Sequence, residues 1–239
     1  MKYSVSNWIY GDEPFEKTLK RLSRFNYDGV EIVGEPDKYD VSMTRQLLAS
    51  YGLEASSIAG VYPWPTEDRD FASADRNVRE RAVEYAKKCI RFARDVGAIL
   101  IIVVPSCVAK TKPQAPLEKE WRWSVESVKE AGRYATDFGV LIAVEPINRY
   151  ETYLVNNVDQ ALRFVGEVNL ESVKIMLDSF HMNIEEPDPA ASIRKAGQTL
   201  IHMHMADSNR QSVGRGHTDF RAIIRSLKET GYARYLAME

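Results

Sequence analysis

Four apolar segments in the second half of the chain end on side chains that could bind a metal or transfer a proton. The segments and their end residues are AVEPINRYE with Glu145, MLDSFHMN with Asp178 and His181, HMHMADSNR with His204 and Arg210, and LAME with Glu239. A carboxylate in apolar surroundings is costly unless it is paired or bound to a cation. Helix caps or structural ion pairs would explain any one of them, but four successive segments that end alike indicate a shared site.

Three carboxylates and one imidazole are suitable ligands for one divalent cation. The predicted ligands are Glu145, Asp178, His204 and Glu239. This ligand set suits Mn²⁺, Mg²⁺ or Co²⁺, and Zn²⁺ is a further alternative because one ligand is a histidine. His202 lies two residues before His204 and faces the same way on a strand, one layer deeper. We therefore predict His204 as the ligand and His202 as a hydrogen-bonded core residue.

The elements that must position these residues follow an alternating pattern. Short Val, Ile and Leu runs alternate with charged, helix-periodic segments, which predicts a parallel sheet with helical crossovers. The predicted strands are 3–8, 29–34, 54–60, 98–106, 140–146, 173–179, 200–207 and 234–239. The predicted helices are 13–25, 41–51, 77–96, 117–138, 157–168, 189–196 and 219–230.

Eight such units in a chain of 239 residues predict an α/β fold of the (β/α)8 TIM-barrel type. We expect one domain over residues 1–239 that lacks the final helix, because the chain stops at Glu239, and truncation of a longer protein is our preferred explanation. In such barrels, sites lie at the C-terminal ends of the strands, where the acids above occur. A doubly wound sheet is the alternative, but SNWIYGDEP lacks the G-x-G-x-x-G fingerprint.

Composition restricts the partner and the compartment. The net charge is −2, so neither nucleic acid nor an anionic membrane is an expected partner. The N-terminus resembles no signal peptide, and no apolar stretch approaches the roughly 18 residues of a membrane span. The two cysteines form no CxxC pair, which disfavours a thiolate zinc site. We predict a cytoplasmic protein with a small-molecule partner, and leave a homo-oligomer open.

Several motifs resemble those of the ketose 3-epimerases, the D-tagatose and D-psicose 3-epimerases of the xylose-isomerase-like TIM-barrel superfamily. They are VEPINRYETYLVNN, VKIMLDSFHMNIEE, HMHMADSNRQSVGRGHTDF and the final AME, and the clear match covers 120–239. The resemblance implies that the four predicted ligands bind one divalent metal and that Glu145 and Glu239 are the catalytic pair. It also implies that Glu151, His181 and Arg210 contact a small sugar.

The implied reaction fits these residue types. A divalent metal can stabilise the enediolate that forms when a ketose loses the proton beside its carbonyl. Epimerisation needs one base on each face of that carbon, and two glutamates from opposed strands meet this demand. The absence of a Lys or Arg cluster at any strand end predicts free rather than phosphorylated sugars.

Other features of the sequence leave alternatives open. Related chemistries are aldose–ketose isomerisation, hydroxypyruvate isomerisation and inosose dehydration. An abasic-site endonuclease needs more histidines than the four present, and a degraded sugar-binding protein has no need of both bases. The strand 4 loop, PSCVAKTKP, lacks the aromatic residue that is common in the family. Trp8, Tyr10, Tyr62 and Trp64 are candidates to line the pocket, and the long strand 3 loop is a candidate lid.

Overall fold

The computed structural model describes all 239 residues and contains eight parallel β-strands that form one closed barrel in sequence order. The strands are β1 (Lys2–Ser6), β2 (Gly29–Gly34), β3 (Glu54–Gly60), β4 (Leu100–Val103), β5 (Leu141–Val144), β6 (Val173–Asp178), β7 (Leu200–Met205) and β8 (Tyr235–Met238). Strand β8 closes the barrel by pairing with both β7 and β1. The predicted TIM barrel is confirmed.

Eight α-helices lie between the strands. They are α1 (Phe15–Arg24), α2 (Val41–Tyr51), α3 (Arg76–Val96), α4 (Leu117–Phe138), α5 (Val158–Val168), α6 (Ser179–Glu185), α7 (Pro189–Ala196) and α8 (Phe220–Glu229). Short 3-10 helices occupy Asn7–Tyr10, Pro36–Lys38 and Gly197–Thr199. None of these helices combines the length and apolar character that a membrane span requires.

The structure corrects the predicted elements in two places. Helix α6 was not expected; it begins directly after β6, and the carboxylate of Asp178 caps it by accepting the N–H of Phe180 at 2.8 Å. Seven residues are too few for helical periodicity to be recognised. Strand β4 is shorter than the predicted 98–106, because the apolar run continues past the sheet into a buried loop.

Local signals explain the ends of several elements. Asn157 caps α5 by accepting the N–H of Gln160, and Gly139 ends α4 with a positive φ of 65° that suits glycine. Most buried apolar residues form one continuous cluster, which includes Phe164 of α5. A second cluster of six residues includes Ala59 and Ile102, which also line the main cavity. The apolar core therefore continues up to the floor of that cavity.

Phe164 offers a test of this packing. Its side chain is fully buried and meets the Trp121 ring edge-on at 5.4 Å between centroids. We expect Phe164→Ala to lower the free energy of unfolding by about 3–5 kcal/mol, because it leaves a cavity. The matched control is Phe25→Ala at a position 65% exposed, which should change it by less than about 0.5 kcal/mol. Urea unfolding measures both, and equal losses would contradict the assigned packing.

Candidate metal and substrate site

The four predicted ligands lie together at the C-terminal ends of strands β5 to β8. One ligand atom from each of Glu145, Asp178, His204 and Glu239 lies within 4.8 Å of the others. The sheet register accounts for this placement, because Asp178 pairs with His204 across β6 and β7. The N–H of Glu239 in turn reaches the carbonyl of Met205 at 3.5 Å. The first three side chains are buried, and Glu239 is partly exposed.

The ring of His204 has two different environments. Its Nε2 makes a hydrogen bond of 3.1 Å with the carboxylate of Glu31, which is fully buried on β2. Its Nδ1 lies 2.8 Å from Glu239 Oε2 and 3.8 Å from Glu145 Oε1, yet makes no hydrogen bond. A carboxylate that accepts the Nε2 proton leaves the Nδ1 lone pair free for a cation. The orientation of His204 therefore fits a metal ligand.

Glu31 was not predicted as a site residue. One of its oxygens, Oε2, accepts hydrogen bonds from His202 Nε2 at 2.8 Å and from the hydroxyl of Ser57 at 2.7 Å. Burial alone would raise the pKa of Glu31, but the His204 and His202 imidazoles hold that pKa well below its usual range. His202 is thus a hydrogen-bonded core residue, as expected. The only signal for Glu31 in the sequence is an acid at the centre of GVEIVG.

The three carboxyl groups lie close together in buried surroundings, so ionising all of them is costly. Burial raises the pKa of Glu145 well above its ordinary value, and Glu239 and Asp178 add to the effect. The guanidinium of Arg210 lies between Asp178 Oδ2 at 2.5 Å and Glu239 Oε2 at 2.8 Å. The second positive group is the imidazole of His204: burial lowers its pKa, but Glu239 and Glu31 raise that pKa well above its ordinary value. The donor set, an unbonded imidazole nitrogen among carboxylate oxygens, fits a divalent cation.

Asn148, which was also not predicted, connects two residues of the predicted sugar site. Its side-chain amide donates to His181 Nδ1 at 2.8 Å and to Glu151 Oε1 at 2.8 Å, while its oxygen accepts the N–H of Tyr150. Because Nδ1 accepts, the proton of His181 is on Nε2. Burial lowers the pKa of His181, which keeps the ring neutral. His181 therefore presents a donor at Nε2, which lies 3.7 Å from Asp178 Oδ2.

A cavity of about 510 Å³ opens above the carboxylates. It is lined by six of the predicted site residues: Glu145, Glu151, His181, His204, Arg210 and Glu239. Asp178 is fully buried and does not line it. Trp8, Tyr62 and Trp64 also line the cavity, and the Trp8 indole N–H donates to Glu239 Oε1 at 3.0 Å.

One of the four aromatic candidates for the pocket lining is wrong. Tyr10 does not line the cavity, because its ring packs against the guanidinium of Arg21, 4.4 Å from the ring centroid. Part of the strand 3 loop, the candidate lid, packs against the barrel, because Tyr62, Asp70 and Phe71 are buried within it. Tyr62 and Trp64 of this loop form one wall of the cavity.

Comparisons with known proteins agree with this architecture. The family model described as a xylose isomerase-like TIM barrel matches residues 19–239. A D-psicose 3-epimerase of Enterocloster bolteae is 40% identical over all of this chain and 82% of its own length. An L-ribulose 3-epimerase of Mesorhizobium japonicum is 30% identical over 94% of this chain and 74% of its own. The structure of a D-psicose 3-epimerase with D-tagatose from Clostridium cellulolyticum H10 aligns over this whole chain and 84% of that one, with a TM-score of 0.91 and 28% identity.

The contacts of Glu31 generate a test of the metal site. Glu31→Gln removes the charge that holds the Nε2 proton of His204, so we expect the affinity for Mn²⁺ to fall by about 10–100-fold. The measurement is competition with a fluorescent chelator on metal-stripped protein. Ser57→Ala is the control, because it removes one donor to Glu31 and leaves both imidazoles bonded. Unchanged affinity in a folded Glu31→Gln variant would contradict the assignment.

Proposed function

Because the chain belongs to the xylose isomerase-like TIM-barrel family, and within it to the ketose 3-epimerases, we propose that it epimerises free ketoses at the carbon beside the carbonyl. The observation that carries the proposal is the pair of carboxylates Glu145 and Glu239. They follow β5 and β8, three strands apart in the barrel, and line the same cavity. Two acids that reach one cavity from different strands can transfer protons on opposite faces of a single carbon.

In the proposed mechanism the two glutamates exchange roles. One carboxylate removes the proton beside the carbonyl, and the carboxyl group of the other returns a proton to the opposite face. A divalent cation held by Glu145, Asp178, His204 and Glu239 would supply the positive charge that stabilises an enediolate. The Trp8 N–H and the Arg210 guanidinium each donate to a different oxygen of Glu239, so they hold its carboxylate towards the cavity.

Three further residues are proposed to orient the sugar. His181 offers an N–H at Nε2, and Arg210 offers the only guanidinium that lines the cavity. Glu151 offers a carboxylate to a sugar hydroxyl. Asn148 donates to both Glu151 and His181, so it fixes the distance between those two side chains. Groups that are held in place before the substrate arrives lose little entropy on binding, which favours a single orientation of the reacting carbon.

We also propose an identity for the metal and a cellular compartment. Mn²⁺ is proposed as the metal, since oxygen donors outnumber the single imidazole in the ligand set. The proposed compartment is the cytoplasm.

The proposed activity predicts isotope exchange. Protein loaded with Mn²⁺ or Co²⁺ in D₂O should incorporate deuterium at the carbon beside the carbonyl of D-psicose and convert the sugar to its epimer, because the proton passes through a solvent-exchangeable carboxyl group. NMR spectroscopy measures both events. If metal-loaded protein exchanges no deuterium into any ketohexose or ketopentose, the proposed function is wrong.

The two-base assignment has its own test. Glu145→Gln and Glu239→Gln should each abolish epimerisation, because an amide neither accepts nor returns the proton. The control is Glu171→Gln, whose side chain is 99% exposed and paired only with Lys174. Turnover is measured with each variant saturated with metal, so that lost affinity is not mistaken for lost catalysis. Near-normal turnover in either site variant would leave the assignment untenable.

A further inference from the structure

Asn148 is an uncharged, buried side chain that lies behind two polar groups of the cavity. It is 1% exposed and belongs to the segment after β5. Asn148 does not itself line the cavity, whereas both side chains that receive its amide hydrogens, His181 and Glu151, do. An amide both donates and accepts hydrogen bonds, so its orientation determines what its neighbours can offer to a substrate.

The neighbours of Asn148 fix the orientation of this amide. Its Oδ1 accepts the backbone N–H of Tyr150 at 3.0 Å, a group that can only donate. Its Nδ2 lies 2.8 Å from Glu151 Oε1, and an ionised carboxylate can only accept. Both contacts require the same orientation, so the NH₂ group, not the oxygen, faces His181 Nδ1 at 2.8 Å. Nδ1 must therefore carry a lone pair.

His181 differs in this respect from the other two buried histidines. His202 and His204 each face the carboxylate of Glu31 through Nε2. His181 instead faces an uncharged donor through Nδ1. A neutral imidazole has one N–H, so a donor at Nδ1 leaves the His181 proton on Nε2, the nitrogen that does not contact Asn148.

A second contact between the same two elements holds Asn148 against His181. Glu185 lies on α6 four residues after His181, and its side chain is 3% exposed. Its carboxylate accepts the backbone N–H of Arg149 at 2.6 Å and two bonds from the guanidinium of that residue, at 2.9 and 2.7 Å. The segment after β5 and α6 are thus bonded at two adjacent residues. The Asn148 amide cannot turn away from His181 without breaking contacts on both sides.

We propose that Asn148 is a positioning residue that keeps His181 a hydrogen-bond donor and Glu151 an acceptor towards one bound sugar. This inference rests on the proposed function, which places a ketose in the cavity. The Nε2–H of His181 can stabilise negative charge that develops on a sugar oxygen when the proton beside the carbonyl leaves. The amide occupies Glu151 Oε1 and leaves Oε2 for a hydroxyl. An α-hydroxy ketone offers a carbonyl oxygen and a neighbouring hydroxyl to such a pair.

The position of the His181 proton tests this inference without any assay of activity. Asn148→Asp replaces the amide by a carboxylate of the same shape, which has no hydrogen to donate. We expect a proton to appear on His181 Nδ1, because the new carboxylate accepts it. Long-range proton–nitrogen NMR spectroscopy of the Mg²⁺-loaded protein measures this, and the chain has only four histidines to assign. A wild-type ring protonated on Nδ1, or a variant ring protonated on Nε2 alone, overturns the inference.

Turnover of D-psicose by the Mn²⁺-loaded protein supplies a second readout. We expect Asn148→Asp to lower kcat by about 100-fold or more, the cost of losing one donor to developing negative charge. KM should change by less than about threefold, because the lost bond is strongest in the transition state.

The matched control for both measurements is Asn156→Asp in the same segment. The amide of Asn156 also donates two bonds, to the carbonyls of Ile147 at 2.7 Å and Thr152 at 2.9 Å, but it bonds to neither His181 nor Glu151. We expect the control to keep the wild-type His181 proton and a kcat within about threefold of wild type. Equal losses of kcat in the two variants would show that Asn148 only holds the segment, and would overturn the inference.

Asn148→Ala is a second variant that adds no charge beside Glu151. We expect its spectrum to show the His181 proton on either nitrogen and its kcat to fall by about tenfold, since one oriented hydrogen bond is lost. A proton on Nε2 alone together with full kcat overturns the inference and leaves the epimerase activity established. If metal-loaded wild-type protein epimerises no ketose, the proposed function is overturned, and this inference with it.

Discussion

The pairing of β8 with its two neighbours is the constraint on which the rest of the structure depends. Met203 of β7 pairs with Leu236 on one side of β8, and Val5 of β1 pairs with Met238 on the other. The four residues of β8 therefore close the barrel. Without these pairs, β7 and β1 would each present an open edge. The same pairing places Glu239 beside His204, where Trp8 and Arg210 bind its two oxygens from either side. Closure of the barrel and the position of Glu239 in the site therefore depend on the same strand.

Carboxylates that lie together at the end of a barrel repel one another, so other elements must supply positive charge beside them. Arg210 supplies part of it, and its backbone has a positive φ of 59°, which is unusual for a residue with a side chain. The buried carboxylate of Asp207 supports that conformation by accepting N–H groups from Ser208, Gly214 and Thr218. Backbone strain of this kind is typical of functional sites, where surrounding contacts over-determine it.

The sequence predicts the rim of the barrel better than its interior, for a physical reason. Residues at the ends of successive parallel strands meet because barrel geometry requires it, so Glu145, Asp178, His204 and Glu239 could be grouped without knowledge of any contact. Glu31 meets His204 across the barrel from a strand 173 residues earlier in the chain. Hydrophobic periodicity shows which face of a strand is buried, but not which buried side chains on distant strands come into contact. Lys110 forms buried ion pairs with Asp70 and Glu120, which join two loops and α4, and hydrophobic periodicity predicts no contacts between loops.

Two sides of the cavity differ in what a substitution can change. The proposed ligands and bases follow β5 to β8, where Arg210 bonds to both Asp178 and Glu239 and so connects two of the ligands. The wall formed after β3 and β4 shares no side-chain hydrogen bond with the four proposed metal ligands. Its loops are bonded to each other and to Glu120 of α4, and the N–H of Ala109 donates to the carbonyl of Glu151 at 2.7 Å. Effects of residues that share no partners are nearly independent. The barrel therefore allows the shape and polarity of that wall to vary while the groups at the reacting carbon stay in place.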